Sequence, residues 1–139
     1  MGWWLAKSDP DTYGWKDLLR DGKTSWDGVR NFRARNALRA MKPGDLVLFY
    51  HSGDEKSVVG AMKVLSDAYP DTTAKEEDWS ALDVAPAWSL KNPVTLASIK
   101  AQPSLKNILL VRVSRLSVMP LEKEAFDTIV SMGGGTARL

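Results

Sequence analysis

Apolar residues along the chain follow two spacings, one typical of strands and one typical of helices. Alternating or continuous apolar runs predict strands at residues 3–8, 46–50, 57–68, 79–90 and 109–118. Apolar residues three and four positions apart predict helices at 15–22, 32–41, 96–101 and 120–133. Because the strands are separated by turns and short helices without a repeated strand-helix-strand unit, we expect a mixed α+β domain with a curved, barrel-like sheet.

Glycine and proline refine this outline. Gly60 lies inside a predicted strand, where the missing side chain permits a close backbone approach, and Pro86 indicates a sheet edge. Residues 69–78 are polar and predict a surface loop, whose acidic run 76–78 we do not interpret as a metal site. Three glycines at 133–135 end the last helix. We therefore expect one domain over residues 1–133 and a flexible tail over 134–139.

The predicted helix at 32–41 has two different faces. One is apolar, with Ala34, Ala37, Leu38 and Met41 at helical spacing. The other carries Phe32, Arg35, Asn36 and Arg39. Basic residues are concentrated between Val29 and Gly44, where no carboxylate occurs; they are Arg30, Arg33, Arg35, Arg39 and Lys42. Such a face is either a solvated helix surface or a nucleic-acid contact with cations for phosphate and amides for base edges.

Composition narrows the classes of function. The 139 residues contain no cysteine and one histidine, which excludes thiol nucleophiles, disulfides and imidazole clusters. We expect neither a cofactor nor a metal. A net charge of +2 is too small to coat a polyanion, so a nucleic-acid contact should be compact. Two or three phosphate contacts would give a slope of log K against log salt of roughly −2 to −3.

No apolar run reaches a membrane-spanning length, and the first residues do not form a signal peptide or a myristoylation motif. We expect a soluble cytoplasmic protein that acts as a monomer, without a membrane partner.

Several segments together resemble the EVE domain, a PUA-like module related to YTH and ASCH domains. They are Lys7 to Tyr13, Trp26 to Asn31, Ala34 to Asn36, Phe49 to Ser52, Ala68 to Pro70 and Ser114 to Pro120. The resemblance covers residues 3–133. It implies a PUA-like pseudo β-barrel and a pocket for a modified cytosine or adenine in DNA or RNA. Phe32, Arg33, Val113 and Asp9 depart from the residues that are common in the family.

The candidate pocket residues fall into three chemical groups. Trp26 provides a ring for stacking on an extruded base, with Val29 and Phe32 nearby in the chain. Ser8 and Asn31 are candidates for reading the base edge, although the same groups commonly cap turns and helices. We also place Tyr50, His51 and Ser52 in the pocket because they end a buried strand, and Ser114, Leu116 and Ser117 as an opposite rim. Leu116 would contact a methyl group.

Lys7, Arg30, Arg35 and Arg39 are the candidate phosphate-binding residues. The predicted function is therefore a non-catalytic reader of a modified base. Two alternatives stay open. One is a nucleotide- or base-processing enzyme that uses Asp9, Asp27 and Lys7 in the same pocket. The other is a protein-interaction module, which would expose an apolar patch instead of a polar cavity.

Overall fold

The computed structural model describes residues 1–75 and 78–137. Its strands, in chain order, are β1 (Trp3–Ser8), β2 (Thr24–Trp26), β3 (Leu46–His51), β4 (Ser57–Val64), β5 (Tyr69–Pro70), β6 (Ser80–Thr95), β7 (Val118–Leu121) and β8 (Thr136–Ala137). Its α-helices are α1 (Pro10–Tyr13), α2 (Trp15–Asp21), α3 (Phe32–Ala40), α4 (Leu96–Ala101), α5 (Leu109–Arg112) and α6 (Lys123–Met132). A 3₁₀ turn spans Pro103–Leu105.

The strands form one mixed sheet in the order β2-β6-β4-β3-β1-β7, and β5 and β8 also pair with β6. Only β1 and β3 are parallel among the described pairs. The 16-residue strand β6 changes register twice against β4. Because bulges bend a strand and increase its twist, they help to curl the sheet. The predicted α+β class with a single mixed sheet is therefore confirmed.

Phe49 lies at the centre of the core. It is fully buried, and the rings of Trp15 and Trp26 meet it edge-on at centroid distances of 5.3 and 5.5 Å. Gly60 is required beside this cluster because a Cβ there would overlap the indole of Trp15. This is the close approach that the sequence predicted. The cluster holds Trp26 from behind and so positions the end of β2.

The apolar face of α3 packs as predicted, with Ala34, Ala37, Leu38 and Met41 all buried. The predicted strands at 3–8 and 46–50 and the helices at 15–22 and 96–101 are also present. Strand β4 ends at Val64, before the predicted limit. Strand β6 continues to Thr95 because β4 pairs with it as far as the Ser57 and Thr95 partners.

Two predictions about the C-terminal third are wrong. Residues 109–112 form helix α5 instead of a strand, since a short apolar run does not distinguish a buried strand from a buried helix. Pro120 does not begin the last helix, which starts at Lys123; it lies in β7 opposite Trp4. β7 is the terminal strand of the sheet order, where a residue without an N–H is tolerated.

Pro86 does not mark an edge strand, because β6 lies between β2 and β4. It lies opposite Met62 beside a bulge, in a stretch of β6 between the segments that pair with β2 and β8.

Parts of the predicted 69–78 loop and of the predicted tail, residues 76–77 and 138–139, lie outside the described residues. The tail from residue 134 includes β8, which pairs with Ser89 and Leu90 of β6. Its flexibility stays a prediction. Among the described residues, no helix has both the length and the apolar character needed to cross a bilayer.

Candidate functional site

A cavity of about 440 Å³ opens at the end of β1, beside β2 and the loop that follows β2. This volume is within the range of small-molecule binding sites. The lining residues come from β1, α1, β2, the loop after β2 and the segment before β7; they are Lys7, Ser8, Thr12, Tyr13, Thr24, Ser25, Trp26, Asp27, Gly28, Val29, Arg30 and Ser117.

Trp26 is both a core residue and a wall of this cavity. It is 8% exposed and packs edge-on against Phe49, while pairing through its backbone with Leu82 of β6. Val29 also lines the cavity and is buried. The cavity therefore has an apolar floor whose position is set by the core.

Hydroxyl groups occupy the wall formed by β1 and β2. The Oγ of Ser8 donates to the carbonyl oxygen of Tyr13 at 2.5 Å. The Oγ of Ser25 lies 2.7 Å from the hydroxyl of Tyr69, and Tyr69 donates to Asp83 at 2.6 Å. Because a hydroxyl has one proton, Ser25 must be the donor to Tyr69. Both serine hydroxyls therefore use their protons within the protein and keep lone pairs that can accept from a ligand.

Asp27 places a carboxylate at the cavity. The residue is exposed, and among residues 1–75 and 78–137 no other residue donates a hydrogen bond to this carboxylate. Partial burial and the nearby carboxylate of Asp71 raise the pKa of Asp27 above its usual value. Its own backbone N–H and the charge of Arg30 act in the opposite direction but more weakly, so the Asp27 carboxylate keeps acceptor capacity for a ligand.

Asp71 anchors the loop that forms this side of the cavity. Its fully buried carboxylate accepts from the N–H of Gly28 at 2.9 Å, from Arg30 at 2.9 Å, and from the N–H and hydroxyl of Thr73 at 2.8 and 2.6 Å. Burial alone would raise the pKa of Asp71, but these four hydrogen bonds together hold it well below its usual value. Gly28 has a φ of +76°, which favours glycine at this anchored turn.

Lys7, at the end of β1, is a cation that lines the cavity. Its Nζ donates to the carbonyl oxygen of Ser114 at 2.8 Å and lies 5.6 Å from the centre of the Tyr50 ring. Partial burial lowers the pKa of Lys7. Among the described residues no carboxylate pairs with it, so its charge is available to an anionic ligand.

Six of the residues predicted for the site line this cavity; they are Lys7, Ser8, Trp26, Val29, Arg30 and Ser117. Asn31, in contrast, does not line it, because its Oδ1 accepts from the N–H of Ala34 at 3.0 Å and caps α3. The capping alternative considered for Asn31 is the one that the structure shows. Phe32 also lies outside the cavity, on the exposed side of α3.

The residues at the end of β3 are likewise not brought into the cavity. The Nε2 of His51 accepts from the buried N–H of Trp15 at 3.0 Å, which places the ring proton on Nδ1, facing Glu55. Tyr50 is 3% exposed, and Ser52 interacts with Ser8 only through its backbone N–H in the described structure.

The predicted rim is only partly present. Leu116 is 2% exposed and belongs to the core, so Val29 is the aliphatic side chain that reaches the cavity. Ser114 contributes its carbonyl oxygen to Lys7 instead of a hydroxyl to the wall.

Arg35 and Arg39 lie outside the cavity and are paired with Asp78. The ion-pair distances are both 2.7 Å, and Arg39 also donates to the Oγ of Ser80 at 2.9 Å. These arginines fasten the segment before β6 onto α3, and each guanidinium already has an ion-pair partner, although the single carboxylate of Asp78 balances only one of their two charges.

Sequence reasoning did not assign Thr12, Tyr13, Thr24, Ser25, Asp27 or Gly28 to a base pocket. The polar run 24–28 around Trp26 was the available signal. Asp27 was considered only for an enzyme, because an aspartate followed by glycine is common in turns.

Within residues 1–75 and 78–137 no group of three histidine or carboxylate side chains is placed to hold a metal ion.

The EVE domain family model matches residues 2–132. The chain belongs to the EVE domain family. Thymocyte nuclear protein 1 of Homo sapiens is 37% identical over 163 aligned residues, which cover 93% of this EVE domain chain and 72% of that relative.

Two solved structures extend the comparison. Protein Atu2648 from Agrobacterium tumefaciens has a TM-score of 0.94 at 38% identity, covering 97% of this chain and 94% of its own. The human THYN1 protein, solved in complex with DNA containing 5-methylcytosine, has a TM-score of 0.86 at 35% identity, covering 96% and 98%. The EVE fold is therefore shared over nearly the whole chain, and the predicted PUA-like fold is confirmed.

Proposed function

We propose that this EVE domain binds a modified nucleobase, with methylated cytosine in nucleic acid as the first candidate, and does not transform it. The observation that carries the proposal is that an indole, a carboxylate, an aliphatic side chain and a cation line one cavity; they belong to Trp26, Asp27, Val29 and Lys7. The human THYN1 complex with 5-methylcytosine DNA supports the choice of ligand.

The three side chains match three parts of a cytosine. Trp26 offers an aromatic ring, and stacking on an aromatic ring contributes about 1 to 3 kcal/mol per base. Asp27 accepts from the exocyclic amine, as carboxylates do from the N4 amine of cytosine in direct base recognition. Val29 provides apolar contact for the methyl substituent, worth about 0.8 kcal/mol if fully buried.

In this proposal the phosphate contacts come from Lys7 and Arg30, the two cations that line the cavity. Lys7 contributes an uncompensated charge among the described residues, whereas Arg30 is paired with Asp71. Arg35 and Arg39 are not included in this site, because Asp78 already binds both.

The enzyme alternative has one observation in its favour. The pKa of Asp27 is raised and the pKa of Lys7 is lowered, which are the directions found in groups that exchange protons. In the binding proposal both shifts follow from partial burial at the wall of a cavity, and Asp27 acts as an acceptor throughout.

The test is a binding panel with oligonucleotides that differ in one base. Cytosine, 5-methylcytosine, adenine and N6-methyladenine are compared in single- and double-stranded DNA and RNA. We expect the tightest binding for 5-methylcytosine, with roughly a 4-fold preference over cytosine from methyl burial alone. Trp26→Ala should weaken binding by about 10-fold or more through lost stacking.

Trp15→Phe is the matched control. Trp15 packs on the same phenylalanine as Trp26 but does not line the cavity. It should therefore lower the thermal stability without changing the affinity of the folded protein. Equal affinity for all bases, or Trp26→Ala binding like the wild type when folded, would contradict the reader. Conversion of the modified base to a product, with more than one turnover per protein molecule, would favour the enzyme.

A further inference from the structure

Phe32 and Trp79 form a stacked aromatic pair outside the base cavity. Their ring centroids lie 5.1 Å apart with an interplanar angle of 16°. Phe32 is in the first turn of α3, and Trp79 comes immediately before β6. Phe32 is 64% exposed, whereas Trp79 is partly buried. The Phe32 ring is therefore exposed to solvent on one side and stacks on the indole of Trp79 on the other.

Two guanidinium groups border the pair. The guanidinium carbon of Arg35 lies 4.9 Å from the centre of the Phe32 ring and 5.9 Å from that of Trp79. The guanidinium carbon of Arg30 lies 5.8 Å from the Trp79 ring. The Arg35 side chain is only 12% exposed and is held by Asp78, so its position beside both rings is fixed. A flat aromatic surface next to cations favours a nucleobase over an aliphatic partner.

Arg30 connects this pair to the base cavity. Its side chain lines the cavity, and it also lines a shallow depression formed with Thr73, Ala74, Lys75 and Trp79. A nucleic-acid strand leaving the cavity across Arg30 would next reach the aromatic pair.

We propose that the Phe32–Trp79 pair stacks on an unpaired nucleobase that flanks the base held in the cavity. The inference rests on the proposed function for its choice of strand. This second contact would favour strands in which the base next to the modified base is unpaired. It also assigns a function to the exposed Phe32 outside the cavity.

The experiment separates the two contacts by ligand length. The first probe is 5-methyl-2′-deoxycytidine 5′-monophosphate, which can fill only the cavity. The second is a short single-stranded oligonucleotide with a central 5-methylcytosine, and the third has abasic sites on both sides of that base. Phe32→Ala should weaken binding of the second probe about 5- to 10-fold and leave the first unchanged. The third probe should bind equally to the wild type and to Phe32→Ala.

Two further variants test the aromatic character. Phe32→Leu keeps an apolar side chain without a ring and should lose the same affinity, whereas Phe32→Trp should retain it. Leu19→Ala removes another exposed apolar side chain, 40% exposed on α2, and should change nothing. Because Phe32 is exposed, the variants should fold, which circular dichroism can check.

The outcomes distinguish this inference from the proposed function. Monophosphate binding that depends on Trp26, with oligonucleotide binding independent of Phe32, overturns the stacking pair and keeps the reader. If the wild type binds no modified base, a Phe32-dependent affinity for an unmodified single strand supports the pair alone, and its absence overturns both. A change in sedimentation with Phe32→Ala, without a change in oligonucleotide affinity, would show self-association and overturn the proposal.

Discussion

The cavity at the end of β1 and the arginine-bearing face of α3 differ in how their charged side chains are paired. In the cavity, neither Asp27 nor Lys7 forms an ion pair among the described residues, although the positive charge of Arg30 acts on Asp27. On α3, Arg35 and Arg39 share the carboxylate of Asp78. The guanidinium groups of the more basic region are therefore already engaged within the protein, although one carboxylate balances only one of their two charges. Local charge density identifies a candidate surface, but the partners that folding supplies decide which charges remain available.

The largest expected effect concerns Asp71, whose buried carboxylate holds the cavity loop. Asp71→Ala leaves the Gly28 N–H, Arg30 and Thr73 without their acceptor. Breaking a buried, hydrogen-bonded ion pair typically costs about 3 to 5 kcal/mol, and we expect a loss near the lower value because Arg30 is partly exposed. Urea unfolding measures it. Asp78→Ala removes an exposed carboxylate that also pairs with arginines and should cost much less; an equal loss would contradict the contrast.

Acid unfolding tests the same group. Asp71 has a folded-state pKa below its unfolded value of about 3.9, so its stabilisation is complete above that pH and is lost as the pH falls toward the folded pKa. The stability difference between the wild type and Asp71→Asn should therefore be constant near neutral pH and shrink below about pH 4. A difference that stays constant down to the lowest pH would rule out this linkage.

The second effect concerns His51, which was predicted for the pocket but does not line the cavity. His51→Ala removes the acceptor of the buried Trp15 N–H, which should cost about 2 kcal/mol. Affinity per folded molecule should not change. Ser52→Ala, at the neighbouring predicted position, should stay within about 0.5 kcal/mol of the wild type. If folded His51→Ala binds the base more weakly than the wild type, His51 contributes to the binding site and this prediction is wrong.

These residues show how much of the site could be predicted. Trp26, Ser8 and Lys7 could be grouped from sequence because side-chain type and position in the chain agree with their place at the cavity. Their contact with a base stays a prediction. Asn31 and His51 could not be assigned from sequence, since an amide or imidazole that reads a base and one that satisfies a backbone N–H look identical until the N–H is located.

The fold was more predictable than the site because apolar periodicity reports burial directly. It failed at residues 109–112, where four residues are too few to separate helix from strand. It also missed the two- and three-residue strands β2, β5 and β8, whose pairing depends on β6 and not on local pattern. Trp26 is the last residue of β2, so its place at the end of a strand could not be predicted although the residue itself was assigned to the pocket.

The third effect should appear in binding and not in stability. Asp27→Asn replaces a carboxylate, whose two oxygens can both accept from the cytosine amine, with an amide that has only one accepting atom. We expect about a 10-fold weaker affinity. Because the folded protein raises the pKa of Asp27, ionisation of this carboxylate opposes folding as the pH rises, and the variant should be no less stable at neutral pH. Asp54→Asn makes the same charge change outside the cavity and serves as control.

The pH dependence of binding sharpens this prediction. Wild-type affinity should fall as the pH decreases toward the raised pKa of Asp27, since a protonated carboxyl loses an acceptor, and Asp27→Asn should remove this dependence. Isothermal titration calorimetry between pH 4 and 7 measures this affinity. If the affinity of Asp27→Asn falls at low pH as much as that of the wild type, another group is responsible for the pH dependence.

The smallest effect distinguishes the two sets of cations directly. If Lys7 is the phosphate contact and the α3 arginines stay with Asp78, the slope of log K against log salt for a single strand should be about −0.7, shallower than the value expected for several contacts. Lys7→Gln should then bring the slope close to zero, while Arg39→Gln, with the same charge change, should leave it unaltered. A flatter slope in Arg39→Gln would mean that phosphate displaces Asp78 from Arg39, and that this arginine also contacts the ligand.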